Sequence, residues 1–360
     1  MRVLFVQPSI PLYRVPFFNS LSSEFGTVFK VLYSEGDLGK LTPSHQYTWS
    51  KCIGRSIKIG FGLLWQKNLV NYKIKKNDIV IVPGNPRYIS TLIFVLKVRF
   101  SGGKIAWWSH YRSSTSKTWS MFLRLKLMKI ANGIIFYTQD EVKEYLSIKK
   151  QNKEISIVGL NNGIDINTIK DVRKNYDACL RHREILFIGR TSEKSNFNIL
   201  LEAFNHPSLN NLTLNVIGND KSYSYIKEVQ SDLVRKPKIN WYGILTNEEE
   251  ISMVANKCQI FVYPGAVGLS LIHAMAYGLP CLVHSNRLLH MPEIAAFQRG
   301  KTGLTFQPND SRDLGIKLSA MIANPKSLNK MSENCLRIVE NDFNTTKMAL
   351  RFIKFIKELE

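Results

Sequence analysis

Short apolar runs rich in Val, Ile and Phe alternate along this 360-residue chain with segments of helical length. That alternation is the signature of α/β units built on parallel sheets. In the first half, residues 3–6, 29–33, 79–82, 104–108, 133–137 and 155–159 read as strands, and residues 15–25, 88–100 and 118–131 as helices. Thr138-x-x-Glu141 has the form of a capping box that opens a further helix. A polar stretch over 161–183 then breaks the rhythm, which restarts at Ile185-Leu186-Phe187-Ile188-Gly189. Strands are predicted at 185–188, 212–217, 239–242, 260–263 and 281–283, with helices between them, one of them opened by Thr246-x-x-Glu249 and another starting at Gly268. Amphipathic segments at 312–322 and 345–359 close the chain as helices. The pattern predicts two Rossmann-like domains, 1–170 and 171–340, with a cleft between them and a C-terminal helix in 341–360 that can return to the first domain.

Charge changes this picture more than composition does. The chain carries a formal +21, and 1–180 holds 27 basic against 11 acidic residues, leaving 22 against 17 for 181–360. Between 51 and 130 the imbalance is extreme, with 16 Lys and Arg facing only Asp78. Such a block attracts a polyanion, either nucleic acid or an anionic lipid surface. Helix-turn-helix, RNP-like and zinc-finger signatures are all missing, and the basic residues are interleaved with Leu, Ile and Trp, so the lipid surface is the favoured reading. Written as a helix, 116–130 gathers Trp119, Phe122, Leu123, Leu127 and Ile130 on one face, with Lys117, Arg124, Lys126 and Lys129 towards its flanks. That segment and the basic stretch 51–76 are the expected membrane-docking surface.

Five cysteines, Cys52, Cys179, Cys258, Cys281 and Cys335, form no C-x-x-C pair and argue against a disulfide framework or zinc site. A reducing compartment fits them. The first residues, Met1-Arg2-Val3-Leu4-Phe5-Val6, read as a strand rather than a signal peptide. The apolar run at 88–96 falls well short of the ~20 residues needed to cross a bilayer. A cytoplasmic, peripheral protein is expected.

The strongest local signal runs from Tyr263-Pro264-Gly265-Ala266-Val267-Gly268-Leu269 through Ala274-Met275-Ala276-Tyr277-Gly278-Leu279-Pro280. A buried strand passes through a glycine turn directly into a helix, which aims backbone amides and a positive dipole end at one spot. A diphosphate suits such a spot. The segment resembles the donor-binding element of glycosyltransferase family 4, which implies a GT-B fold and a nucleotide-sugar donor. Further landmarks follow in order: Asn162-Gly163-Ile164-Asp165, Phe187-Ile188-Gly189-Arg190, Val216-Ile217-Gly218, Trp241-Tyr242-Gly243, Met291-Pro292-Glu293 and Thr302-Gly303-Leu304. The two glutamates usual in the family, one on the donor sugar and one on the ribose, fall on Gly265 and His273. Both are missing here.

The resemblance assigns Gly189, Arg190, Lys194, Gly265, Ala266, Val267, Gly268, Leu269, His273 and Glu293 to the nucleotide sugar, with Arg190 and Lys194 on its phosphates. It implies catalytic roles for His110 and Arg190, and retention of anomeric configuration. Pro11-Leu12-Tyr13-Arg14 resembles the acceptor loop of bacterial cell-surface polysaccharide transferases, so Tyr13 and Arg14, with Asn85 and Arg87 at another strand end, are expected on the acceptor. Phosphate departure calls for cations, and neither an Asp-x-Asp motif, a Ser-His-Asp order nor a Walker lysine is evident, so no metal or other cofactor is expected. The expected partners are a UDP- or GDP-sugar, a lipid-linked or surface-polysaccharide glycan and an anionic membrane, and no nucleic acid. The competing readings are a nucleotide-sugar epimerase or sugar-phosphate synthase of the same fold, and a basic nucleic-acid-binding protein.

Overall fold

The computed structural model describes residues 1–35, 47–111, 125–148, 155–218 and 238–360. The chain divides into two compact units, one of residues 1–162 with 345–360 and one of residues 163–344. The first crossing therefore lies eight residues before the break expected at 170/171. Its physical reason is local: Ile164 bridges to Asn344, and Ile169, in the helix Asn167–Val172, is fully buried in the second unit's core.

The first unit is built on an eight-stranded sheet ordered β4-β3-β2-β1-β5-β6-β7-β8. The strands are β1 Val3–Gln7, β2 Phe29–Glu35, β3 Ser50–Lys58, β4 Leu64–Gln66, β5 Ile79–Pro83, β6 Lys104–Trp108, β7 Gly133–Phe136 and β8 Ser156–Gly159. All neighbours run parallel except β3 and β4. Val3, Leu4, Phe5 and Val6 are all fully buried, because helices cover both faces of the central strands; this is why β1 reads as an unbroken apolar run. The terminal helix Thr345–Leu359 packs Phe352, Phe355 and Ile356 into this unit, with Phe352 stacked on Phe5 at 5.7 Å.

The strands β3 and β4 correct the reading of 51–76 as a basic stretch alone. Only Ile53 of β3 is buried, so the strand carries almost no apolar alternation, yet it pairs with β2 and turns back into β4. Buried Gln66 fastens β4 by donating to Gln7 O and Ser34 Oγ, both at 3.0 Å. At the tip of this hairpin Phe61 is fully exposed at φ 46°, flanked by exposed Ile57 and Ile59.

The second unit carries a six-stranded, all-parallel sheet ordered β11-β10-β9-β12-β13-β14. Its strands are β9 Glu184–Ile188, β10 Thr213–Ile217, β11 Lys238–Trp241, β12 Ile260–Tyr263, β13 Cys281–His284 and β14 Gly303–Phe306. Chain order reverses between β9 and β12, and ligands of open α/β sheets bind beyond the strand ends at such a switch. Thr138 and Glu141 form the expected capping box, with reciprocal bonds of 3.0 and 3.3 Å. The second expected box is displaced by one residue. Asn247, not Thr246, caps the helix Glu248–Ala255, accepting the Glu249 amide at 2.8 Å. The helix Pro325–Asn341 was not foreseen. All five cysteines are free.

Candidate functional site

In the second unit the turns after β9 and β12 are packed backbone against backbone. Gly189 follows β9, and a Cβ there would stand 2.9 Å from the Tyr263 ring at the end of β12. Exposed Arg190 comes next. Burial pushes the Tyr263 hydroxyl up, and the charge of Arg190 acts against that shift, which places the guanidinium within electrostatic reach of the end of β12. Lys194 is exposed on a single turn, Glu193–Ser195, closed by the Ser192 amide on Ser195 Oγ (3.0 Å) and by Ser195 Oγ on Ser192 O (2.6 Å).

That turn explains a departure noted in the sequence. A Cβ on Gly265 would lie 2.1 Å from Lys194 O and 2.5 Å from the Ser195 carbonyl carbon. No side chain fits at 265 while the turn bearing Lys194 lies there, so a glutamate is sterically excluded from that position.

The turn over 265–269 donates less than its sequence suggests. The Ala266 amide is taken by Lys194 O at 3.0 Å, and the Val267 amide by His290 Nδ1 at 3.2 Å. The Val267 side chain is fully buried. Ala266 and Val267 are thus committed to shaping the turn. The donors left for a ligand are the amides of Gly268, Leu269 and Ser270, which open the helix Leu269–Ala276 before its first internal bond. Buried Glu293 brings Oε2 within 3.7 Å of where a Gly268 Cβ would stand. A carboxylate there accepts hydrogen bonds and suits sugar hydroxyls better than phosphate.

His273, at the position of the second missing glutamate, is paired with Glu248. Its Nε2 lies 3.0 and 3.1 Å from the two carboxylate oxygens of Glu248, and the Tyr277 hydroxyl donates to the same carboxylate at 2.8 Å. Burial pushes the Glu248 carboxyl up, but the bonds from His273 and Tyr277 outweigh it and hold it below its usual value. Sequence reasoning passed over Glu248. Its only signal was the acidic run Glu248-Glu249-Glu250, which reads as an ordinary helix start.

A second unforeseen element supports the turn. His284 and His290 stack at 3.7 Å, and His290 Nε2 donates to His284 O at 2.9 Å. This fixes the tautomer that lets Nδ1 accept from Val267. Burial lowers both rings to about 4, so both are neutral near pH 7.

In the first unit, Arg14, at the end of the turn Leu12–Arg14, is only 8% exposed. Its guanidinium carbon lies 4.7 Å from the Trp108 ring centre, 5.3 Å from Tyr13 and 5.9 Å from Tyr137. These groups come from the carboxyl ends of β1, β6 and β7. His110 stacks on Tyr137 at 4.0 Å, with Nδ1 3.8 Å from Glu141 Oε1. Buried Glu141 also accepts the Tyr111 amide at 2.9 Å. Asn85 and Arg87 are exposed beyond β5, where Asn85 Oδ1 accepts the Arg87 amide at 3.2 Å. The Gly84 amide bonds Trp108 O at 2.7 Å and ties that turn to β6, but no hydrogen bond links Asn85 or Arg87 to Arg14 among the described residues. Of the expected membrane helix, Lys117, Trp119, Phe122, Leu123 and Arg124 lie outside the described residues, while Lys126 and Lys129 are exposed.

Residues 169–337 match the family described as glycosyl transferases group 1. A curated relative, an uncharacterized 41.2 kDa protein in the cps region of Klebsiella pneumoniae, is 22% identical over 178 residues. That match covers 48% of this chain and 46% of the relative, so the chain spans about half the length of the curated relative it matches. Among solved structures, a glycosyltransferase from Rickettsia africae superposes with a TM-score of 0.70 at 14% identity, covering 99% of this chain and 98% of that one. The lipopolysaccharide outer core galactosyltransferase WaaB gives 0.71 at 16% identity and 99% of each chain. Anabaena Alr3699/HepE in complex with UDP gives 0.69 at 13% identity, covering 99% and 100%. The parallel sheets, the glycine turns at the β9/β12 switch and these matches lead to one assignment: the chain has the GT-B fold seen in these glycosyltransferases, and its residues 169–337 match the family model of glycosyl transferases group 1.

Proposed function

We propose that the chain is a family 4 type enzyme that moves a hexose, with retention of configuration, from a UDP- or GDP-linked sugar to a lipid-linked or surface-polysaccharide glycan. The observation that carries this reading is that the segment bearing Arg190 and Lys194 after β9 packs against the end of β12 and the turn leading to the open amides of 268–270. Two cations and a helix start stabilise a departing nucleoside diphosphate without proton bookkeeping. Glu293 and the Glu248–His273 pair add hydroxyl-binding groups beside it. A relative crystallised with UDP supports the donor class, and the cps-region relative supports a surface-polysaccharide product.

The proposal includes independence from divalent metal, since the charge of the leaving group is met by Arg190 and Lys194. Full transfer activity is expected in excess EDTA, and a strict requirement for added Mg2+ or Mn2+ would overturn it. It also includes work at the cytoplasmic face of a membrane as a peripheral protein. No helix among the described residues is long and apolar enough to cross a bilayer. The decisive experiment screens UDP- and GDP-sugars for thermal stabilisation. A true donor at a hundred times its dissociation constant adds about 2.7 kcal/mol, and a panel that leaves the melting temperature unmoved removes the reading.

A further inference from the structure

Arg14 is a largely buried cation of the first unit that its own fold leaves without an anionic partner among the described residues. A guanidinium is a permanent cation with five N–H donors in a planar fork. Here 92% of the residue is removed from water, by the 8% exposure that remains. Its only protein hydrogen bond among the described residues runs from Nη1 to the thioether of Met348 at 3.7 Å, a weak acceptor. No described carboxylate pairs with it. The rings of Trp108, Tyr137 and Tyr13 surround it, and aromatic faces stabilise a cation without neutralising it. Half-buried Arg2 and buried Arg181 are treated differently. Arg2 is bonded to Asp78, and Arg181 donates to the carbonyls of Ala255 and Cys258.

We propose that Arg14 is an anion receptor, and that the acceptor of this enzyme carries an oxyanion beside a sugar ring. This rests on the reading of the first unit as the acceptor side of a glycosyltransferase. A planar fork held on an indole face has little rotamer freedom left to lose, and carboxylate or phosphate oxygens match it in two parallel bonds. Tyr13, half exposed with its ring 5.3 Å from the same guanidinium, offers an aromatic face on which the attached pyranose stacks. The shared chemistry has two sources, the carboxylate of an acidic sugar and the phosphate that joins a glycan to its lipid carrier.

The test uses the full chain and calorimetric titration with glucuronate, methyl phosphate and glucose. The wild type is expected to bind at least one of the two acids and to show no heat with glucose. Glucuronate alone identifies an acidic sugar, and methyl phosphate alone identifies the carrier phosphate. Arg14→Met, which fits an aromatic cage without charge, is expected to lower the acid's affinity at least tenfold while leaving nucleoside diphosphate affinity unchanged. Arg190→Ala is expected to do the reverse. Should Arg14→Met fail to fold, Arg14→Lys keeps the charge but loses the fork, and the same tenfold loss is expected. Equal acid affinity in the Arg14 variant and the wild type, glucose binding as tightly as the acids, or no acid binding at all would overturn the inference. Failure of the wild type to bind any nucleoside diphosphate defeats instead the glycosyltransferase reading, and leaves the behaviour of Arg14 as a separate result.

Discussion

Arg190 and His290 bear on the turn over 265–269, the proposed nucleotide site, in opposite ways, one through a charge it presents and the other through a charge it must lack. Replacing Arg190 by Ala is expected to weaken nucleoside diphosphate binding by about ten- to a hundredfold, the worth of a hydrogen bond to a charged group. Affinity for the free nucleoside should stay as it was, and equal losses for both would show that Arg190 holds no phosphate. His290 accepts the Val267 amide only while neutral. Both His290 and His284 bind a proton more weakly folded than unfolded, with folded values of about 4. Their contribution to stability is therefore complete above about pH 6.5, the ordinary value, and drains away as pH falls through 4, by about 3 kcal/mol per ring at most. Urea unfolding at pH 7 and pH 4.5 checks this. The difference between the two should shrink when both histidines become Gln, and an unchanged difference would exclude them. At this scale the sequence was legible where a motif sets the backbone, as in the turns at Gly189 and Gly268. It was silent where partners come from elsewhere in the chain. Nothing near His273 announces Glu248, and nothing near Val267 announces His290.

Secondary structure was legible where burial imposes a period. Strands covered on both faces, such as β1, β5 and β12, declare themselves as continuous apolar runs. The strand β3 does not, because eight of its nine residues keep contact with solvent and its place is set by pairing with β2. The helix Pro325–Asn341 was missed for another reason: its apolar stripe of Leu328, Met331, Cys335 and Val339 is narrow and sits in a polar sequence. The β3–β4 hairpin is the more informative correction. Phe61 holds a left-handed backbone conformation that bulky residues adopt only at a cost, and its ring touches water on every side. Exposed Lys51, Arg55, Lys58 and Lys67 lie on the same hairpin, which suits insertion of one aromatic ring beneath anionic headgroups. Phe61→Gly should therefore raise thermal stability, by about 1 kcal/mol, while reducing sedimentation with anionic liposomes. A variant that sediments like the wild type at low salt would take the hairpin off the membrane.

For the molecule as a whole, the charge asymmetry is a surface property. Asp78, the single acid among residues 51–130, is buried and bonded to Arg2 and the Lys75 amide, which hold its carboxyl below the usual range although burial pushes the other way. It neutralises nothing outside. The division into two units was legible from the polar interruption after residue 160, but its edges were not, since they depend on which unit buries Ile169 and Phe352. The terminal helix completes the first unit's core with side chains whose loss costs about 3 to 5 kcal/mol for a single phenylalanine. Total stabilities are commonly 5 to 15 kcal/mol. Ending the chain at residue 344 is thus expected to leave residues 163–344 melting cooperatively while the first unit unfolds, which hydrogen exchange resolved by peptide would read directly.

Because residues 163–344 sit in sequence between the two pieces of the first unit, order of synthesis and order of folding part company. On the ribosome every residue of the second unit has been joined to the chain before the last helix of the first is made. The β1–β8 sheet must wait with Phe5, Phe17 and Trp108 uncovered on the side that Phe352 will fill. The part of the protein translated first is the part that matures last, and its waiting time is set by the length of the insert. In that interval the sheet is the natural client for a chaperone.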